Sequence, residues 1–164
     1  MEHGQLINTT LCYLEKDGKY LMIHRTKKQN DCNKDKWIGI GGKFELGESP
    51  VDCVYREVLE ETGIKMNKAE YRGLVTFVSY WDNKAAPDYE LMHLFWSKDF
   101  STANSDSLPA CDEGDLEWIP KNKMNDLPHW KGDEIFLDLI DKKVPFFSLK
   151  LVYKNGELVE SVLD

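Results

Sequence analysis

The chain has 164 residues, 41% hydrophobic and 30% charged, which fits a single domain spanning 1–164 with a well-solvated surface and excludes a disordered chain. Its net charge of −8 speaks against a protein that coats long nucleic acids, because that task needs a basic surface to displace counterions. No apolar run approaches the roughly 20 residues that span a bilayer, the start MEHGQLINTT lacks a secretory pattern, and Cys12, Cys32, Cys53 and Cys111 form no C-x-x-C pair, so reduced thiols, no membrane partner and a cytoplasmic location are expected.

Residues 5–15 and 19–25 are apolar and β-rich, and Asp17-Gly18 between them is a hairpin turn signal. Residues 26–36 are polar and predict a loop. The glycine-dense stretch WIGIGGKFELGE (37–48) predicts a short strand or bend whose backbone passes close to something. Residues 50–62 predict a helix, with Ser49 as N-cap, Pro50 at the first helical position, Asp52 in the first turn and Gly63 as the terminator. Two strands are expected near 69–80 and 89–97, a short one near 115–119, a helix over 130–142, and a final hairpin around Asn155-Gly156. Interspersed strands and helices predict an α/β fold, a mixed sheet with helices on its faces.

On the 50–62 helix, Glu57, Glu60 and Glu61 stand at i, i+3 and i+4 and form one stripe. Val51, Tyr55, Val58 and Leu59 fall on the other side, where the core is expected. An isolated acidic stripe is usually a solvated face. Here it closes a longer pattern: Gly42, five residues, Glu48, seven residues, then Arg56-Glu57-Val58-Leu59-Glu60-Glu61-Thr62-Gly63-Ile64. Carboxylates offer hard oxygen ligands suited to Mg²⁺, with Mn²⁺ as the other option, held against the phosphates of a substrate. Gly41 and Gly42 would let the backbone approach that cluster, with a Gly41 carbonyl as a candidate ligand. Arg56 is expected to orient a carboxylate, and Glu48 to order the loop. Glu57 and Glu60 are both candidates for the base that takes a proton from water.

The pattern G-x5-E-x7-R-E-U-x-E-E-x-G-U, with U aliphatic, resembles the signature of the Nudix hydrolases at every defined position. That resemblance implies an α/β/α sandwich, metal ligation by Glu57, Glu60 and Glu61, and cleavage of a diphosphate linkage. The segment Asp112–Trp118 resembles the family loop that supplies one more metal-binding glutamate, here Glu113. WIGIGGKFELGE, Leu127–Asp133 and Pro145–Ser148 resemble the MutT/MutX-type 8-oxo-dGTP diphosphatases. This implies that water attacks the β-phosphorus of a nucleoside triphosphate, giving the monophosphate and pyrophosphate. It further implies Arg25 and Lys43 near the phosphates, Trp130 stacked on the base and Asp133 at the edge of an oxidised purine. Ile38 stands where the animal enzymes carry a base-contacting asparagine, so base recognition is expected to differ. ADP-ribose, a dinucleoside polyphosphate or an RNA 5′ end are the other substrates the pattern admits, and a non-catalytic nucleotide sensor is a third reading. The number of subunits is left open.

Overall fold

Backbone chemistry fixes the first and last hairpins. Asp17 (φ 51°) and Gly18 (φ 72°) take left-handed backbone, as do Asn155 (φ 48°) and Gly156 (φ 85°), which suits a two-residue turn between twisted strands. In the computed structural model, which describes residues 5–101 and 108–164, the first turn joins β1 (Leu6–Lys16) to β2 (Lys19–His24). Then come β3 (Trp37–Ile38), β4 (Ile40–Lys43), α1 (Pro50–Thr62), β5 (Met66–Tyr80), β6 (Asp88–Phe100) and β7 (Asp115–Pro120). A 3₁₀ turn (Lys121–Asp126) leads to α2 (Lys131–Asp141), and the second turn joins β8 (Phe147–Lys154) to β9 (Glu157–Leu163).

Among the described residues the strands make one mixed sheet in the order β3-β2-β1-β6-β5-β8-β9, with β4 also on β1 and β7 also on β2. The β1–β6 and β5–β8 pairs are parallel, and the others are antiparallel. Side chains alternate across β1, so Leu11 and Tyr13 join a core with Phe136 and Ile140 of α2, while Cys12 and Leu14 join another with Val54 and Val58 of α1. The helices therefore cover opposite faces, and the molecule is the expected α/β/α sandwich. No helix among the described residues is long and apolar enough to cross a membrane.

The structure departs from the sequence reading at three points. Strands β5 and β6 run longer than 69–80 and 89–97, because register shifts between Met66 and Gly73 let the pair continue past local irregularities. The 3₁₀ turn after Pro120 had no periodic signal. The third correction bears on the site: α1 is rotated from the orientation its apolar pattern suggests. Val51 and Leu59 are 50% and 53% exposed, whereas Cys53, Val54, Val58 and Thr62 are buried. The acidic stripe thus borders the core instead of lying opposite it.

Candidate active site

Helix α1 is set by its ends. The Ser49 hydroxyl accepts from Asp52 N–H (3.1 Å), and the Asp52 carboxylate accepts from Ser49 N–H (3.0 Å), a reciprocal cap. Gly63, at φ 70°, ends the helix by donating to the Leu59 carbonyl. So fixed, the helix lays Glu57 across Gly42 of β4. A Cβ at position 42 would lie 2.6 Å from Glu57 Cδ, and one at Gly41 would lie 2.7 Å from the Thr10 backbone carbon. The two glycines have different work. Gly41 permits β4 to close on β1, and Gly42 makes room for a carboxylate.

Their alanine variants should differ accordingly. Gly41→Ala meets backbone that cannot yield and is expected to cost at least about 2 kcal/mol of stability. Gly42→Ala meets the end of a flexible side chain, so the fold persists but Glu57 is displaced and divalent-cation affinity falls. Thermal melts and isothermal titration with Mn²⁺ check both; equal destabilisation of the two variants would contradict the assignment.

Arg56 holds the cluster. Its Nε and Nη2 donate to Glu48 Oε1 (2.5 Å) and Oε2 (3.0 Å), a bidentate pair. Nη1 donates to Glu57 Oε1 (2.8 Å) and Glu60 Oε2 (3.1 Å), and Nη2 also donates to the Lys43 carbonyl (3.1 Å). The guanidinium holds the Glu48 carboxyl down at about 2, helped by the Glu45 backbone amide. One arginine therefore ties the 45–48 turn, β4 and the acidic stripe together.

Behind it stands a crowded set of acids. Burial pushes the Glu61 carboxyl well above the ordinary range, and the charges of Glu113 and Glu57 push it further. Glu57 is raised by burial, against the pull of Arg56. Glu113 arrives from the segment before β7. It accepts from Arg25 Nη1 and, at 3.1 Å, from Lys28 Nζ. Arg25 also donates from Nε to Asp31 Oδ2 at 2.6 Å. Arg25, expected near phosphate, thus spans two carboxylates at the edge of the cluster, and its charge also acts on Glu61.

These residues fit a divalent cation. Glu61 Oε2 is buried without a hydrogen-bond donor, and a cation supplies what that atom lacks. The donor set is all hard oxygen, and Gly42 leaves a cradle beside it. Among the described residues no three His, Cys, Asp or Glu groups converge as a finished ligand set; Glu57 and Glu113 are turned to Arg56 and Arg25.

The expected base-binding pair lies on the α2 side. Trp130 caps α2; its Nε1 donates to Asn33 Oδ1 (2.6 Å), and Lys36 Nζ stands 4.3 Å over its ring. Asp133 is buried and lines a small cavity with Tyr13, Trp37 and Leu137. Lys43 is exposed, opposite Thr9 in the β1–β4 ladder. Asp31 and Asn33, which hold Arg25 and Trp130, were not singled out in the sequence; a polar loop gives no periodic cue to its contacts.

Burial lifts the Asp133 carboxyl from 3.8 to about 8. Between those values the unfolded chain has lost this proton and the folded chain keeps it, so stability falls as pH rises. Asp133→Asn removes that slope. In urea denaturation the variant's stability should gain on the parent's from pH 5 to pH 7.5, and a pH-independent difference would contradict the assignment.

Residues 6–140 match the family model described as NUDIX domain. A Nudix hydrolase of Bacillus subtilis, YvcI, is 31% identical over 84% of this chain and 80% of its own length. An oxidized purine nucleoside triphosphate hydrolase of Danio rerio is 26% identical over 94% and 92% of the two chains. The crystal structure of a MutT protein from Bacillus halodurans superposes with a TM-score of 0.81 at 25% identity, covering 96% of this chain and 97% of that one.

Proposed function

This chain belongs to the NUDIX family, and on that premise we propose that it is a Mg²⁺-dependent pyrophosphohydrolase acting on oxidised purine nucleoside triphosphates such as 8-oxo-dGTP. The observation that carries this reading is the electrostatic crowding of Glu61 by Glu57 and Glu113, with one Glu61 oxygen orphaned and Glu57 seated where a side chain at Gly42 would block it. Similarity to an oxidized purine nucleoside triphosphate hydrolase over nearly the whole chain supports the substrate class.

Glu57, Glu61 and Glu113 would hold Mg²⁺, with Glu60 and the Gly41 carbonyl as further ligands; Mn²⁺ would substitute. A cation held by these residues would supply charge neutralisation for the phosphates. Arg56 keeps Glu57 and Glu60 in place and fixes the 45–48 turn through Glu48. Glu57 and Glu60 are the two candidate bases to accept a proton from the attacking water. Arg25 supplies positive charge for phosphate at the edge of the acids, and Lys43 supplies it from the opposite face of β4, toward the α2 side. Trp130 and Asp133 lie on the α2 side for the base, and Lys36 must leave the Trp130 ring if a base is to stack on that face.

The test is pyrophosphate release from 8-oxo-dGTP, dGTP and ADP-ribose at equal concentration with Mg²⁺. A clear preference for 8-oxo-dGTP is expected. Equal rates on 8-oxo-dGTP and dGTP would reject selection for oxidised bases, and faster cleavage of ADP-ribose would replace the substrate class.

A further inference from the structure

The sheet face under α2 holds a carboxylate that the acidic cluster does not use. Along β6, Met92 and Leu94 belong to the α2-side core and Trp96 packs against it. Glu90 continues that row, since alternate residues of a strand share a face. It lies opposite Phe77 of β5 and beside Ile7 of β1. Thr9 Oγ1 donates to Glu90 Oε1 at 2.5 Å, and Thr9 is the ladder partner of Lys43. Lys43 acts electrostatically on Glu90, and Glu90 acts on the thiol of Cys32 in the 26–36 loop.

Strand β4 separates this place from the acids. Ile40 and Gly42 face α1 and Glu57, whereas Gly41 and Lys43 share the other face with Thr9 and Glu90. Trp130 and Asp133 belong to that same α2 side. A carboxylate in a row of core positions is unfavourable unless its oxygens find donors. Thr9 serves Oε1, while Oε2 is not among the fully buried orphan atoms of the described residues and is open to a further donor. Burial raises the Glu90 carboxyl, with the Thr9 hydroxyl and Lys43 opposing.

We propose, resting on the nucleotide reading above, that Glu90 is a base-selecting residue of the substrate site. Its second oxygen accepts an N–H from the edge of the nucleobase while Thr9 fixes the carboxyl group. A guanine-type edge supplies such donors, and an unsubstituted purine supplies none.

The experiment compares kcat and KM for 8-oxo-dGTP and for purine deoxyriboside triphosphate, whose base carries no N–H. The parent should favour 8-oxo-dGTP. Glu90→Met removes both acceptor oxygens and should reduce that preference at least about tenfold, through KM for 8-oxo-dGTP with kcat little changed. Glu90→Gln keeps an acceptor oxygen and should retain part of the preference. If Glu90→Met does not fold in a thermal melt, Glu90→Gln decides by the same ratio. Equal losses on the two nucleotides, or a preference unmoved by either variant in an active parent, would overturn the assignment of Glu90 alone. A parent that cleaves neither compound would overturn the nucleotide reading with it.

Discussion

Glu57→Gln is expected to lower pyrophosphate release at least about a hundredfold while the protein remains folded. Glutamine keeps the shape of the side chain across Gly42 and can still accept from Arg56. It lacks the charge that a divalent cation needs from a ligand, and it cannot take up a proton. Survival of the fold does not follow from distance to the core, since Glu57 lies on the core's border. It follows from burial: that carboxyl is already raised by desolvation, with Glu60 and Glu113 adding to the effect, so a neutral isostere relieves strain in the charge set. Turnover at saturating Mg²⁺ and a thermal melt test both halves. Parent-like turnover would exclude Glu57 as an essential ligand or base.

Arg56→Lys should cost roughly tenfold to a hundredfold in activity, the range seen when the support of a ligating carboxylate is removed. A lysine ammonium cannot reproduce the fork that grips both oxygens of Glu48 while a third nitrogen reaches Glu57 and Glu60. The effect should reach beyond the acids. Glu48 Oε2 also accepts from the Glu45 amide at 2.8 Å, so the 45–48 turn loosens when Arg56 lets go, and the Glu45 amide should exchange its hydrogen faster. A lysine variant with parent-like rates and unchanged exchange would reduce Arg56 to a surface ion pair.

Much of the architecture could be read from local chemistry. Asp17-Gly18, Asn155-Gly156, Ser49 with Asp52, and Gly63 each announce a turn or a helix end through backbone requirements. The spacing from Gly42 to Ile64 located the candidate site, because its residues lie on one strand, one turn and one helix. What failed was the rotation of α1. Counting apolar residues put Val51 and Leu59 inward, but the helix packs beside Gly42 with the Glu57 side chain largely covered and leaves those two hydrophobic residues outside.

Long-range pairing was equally hard to read. Arg25 and Glu113 meet across 88 residues of sequence, and Trp130 and Asn33 across 97. Nothing in a polar loop reveals such contacts. Glu90 did carry a signal that went unused: in the run Glu90-Leu91-Met92-His93-Leu94 it is the acid that falls in register with Met92 and Leu94. An acid in the inward register of a strand marks a place where burial costs energy and a ligand can offset it.

Phosphorus-31 NMR of 8-oxo-dGTP incubated with the protein tests the central claim most directly, run with Mg²⁺ and again with excess chelator. Conversion to the monophosphate and pyrophosphate with the cation, and none with the chelator, is the predicted result. An unchanged triphosphate spectrum in saturating Mg²⁺ and in Mn²⁺, or products that form equally well in chelator, would contradict a site in which Glu57, Glu61 and Glu113 bind metal for cleavage of a phosphoanhydride bond.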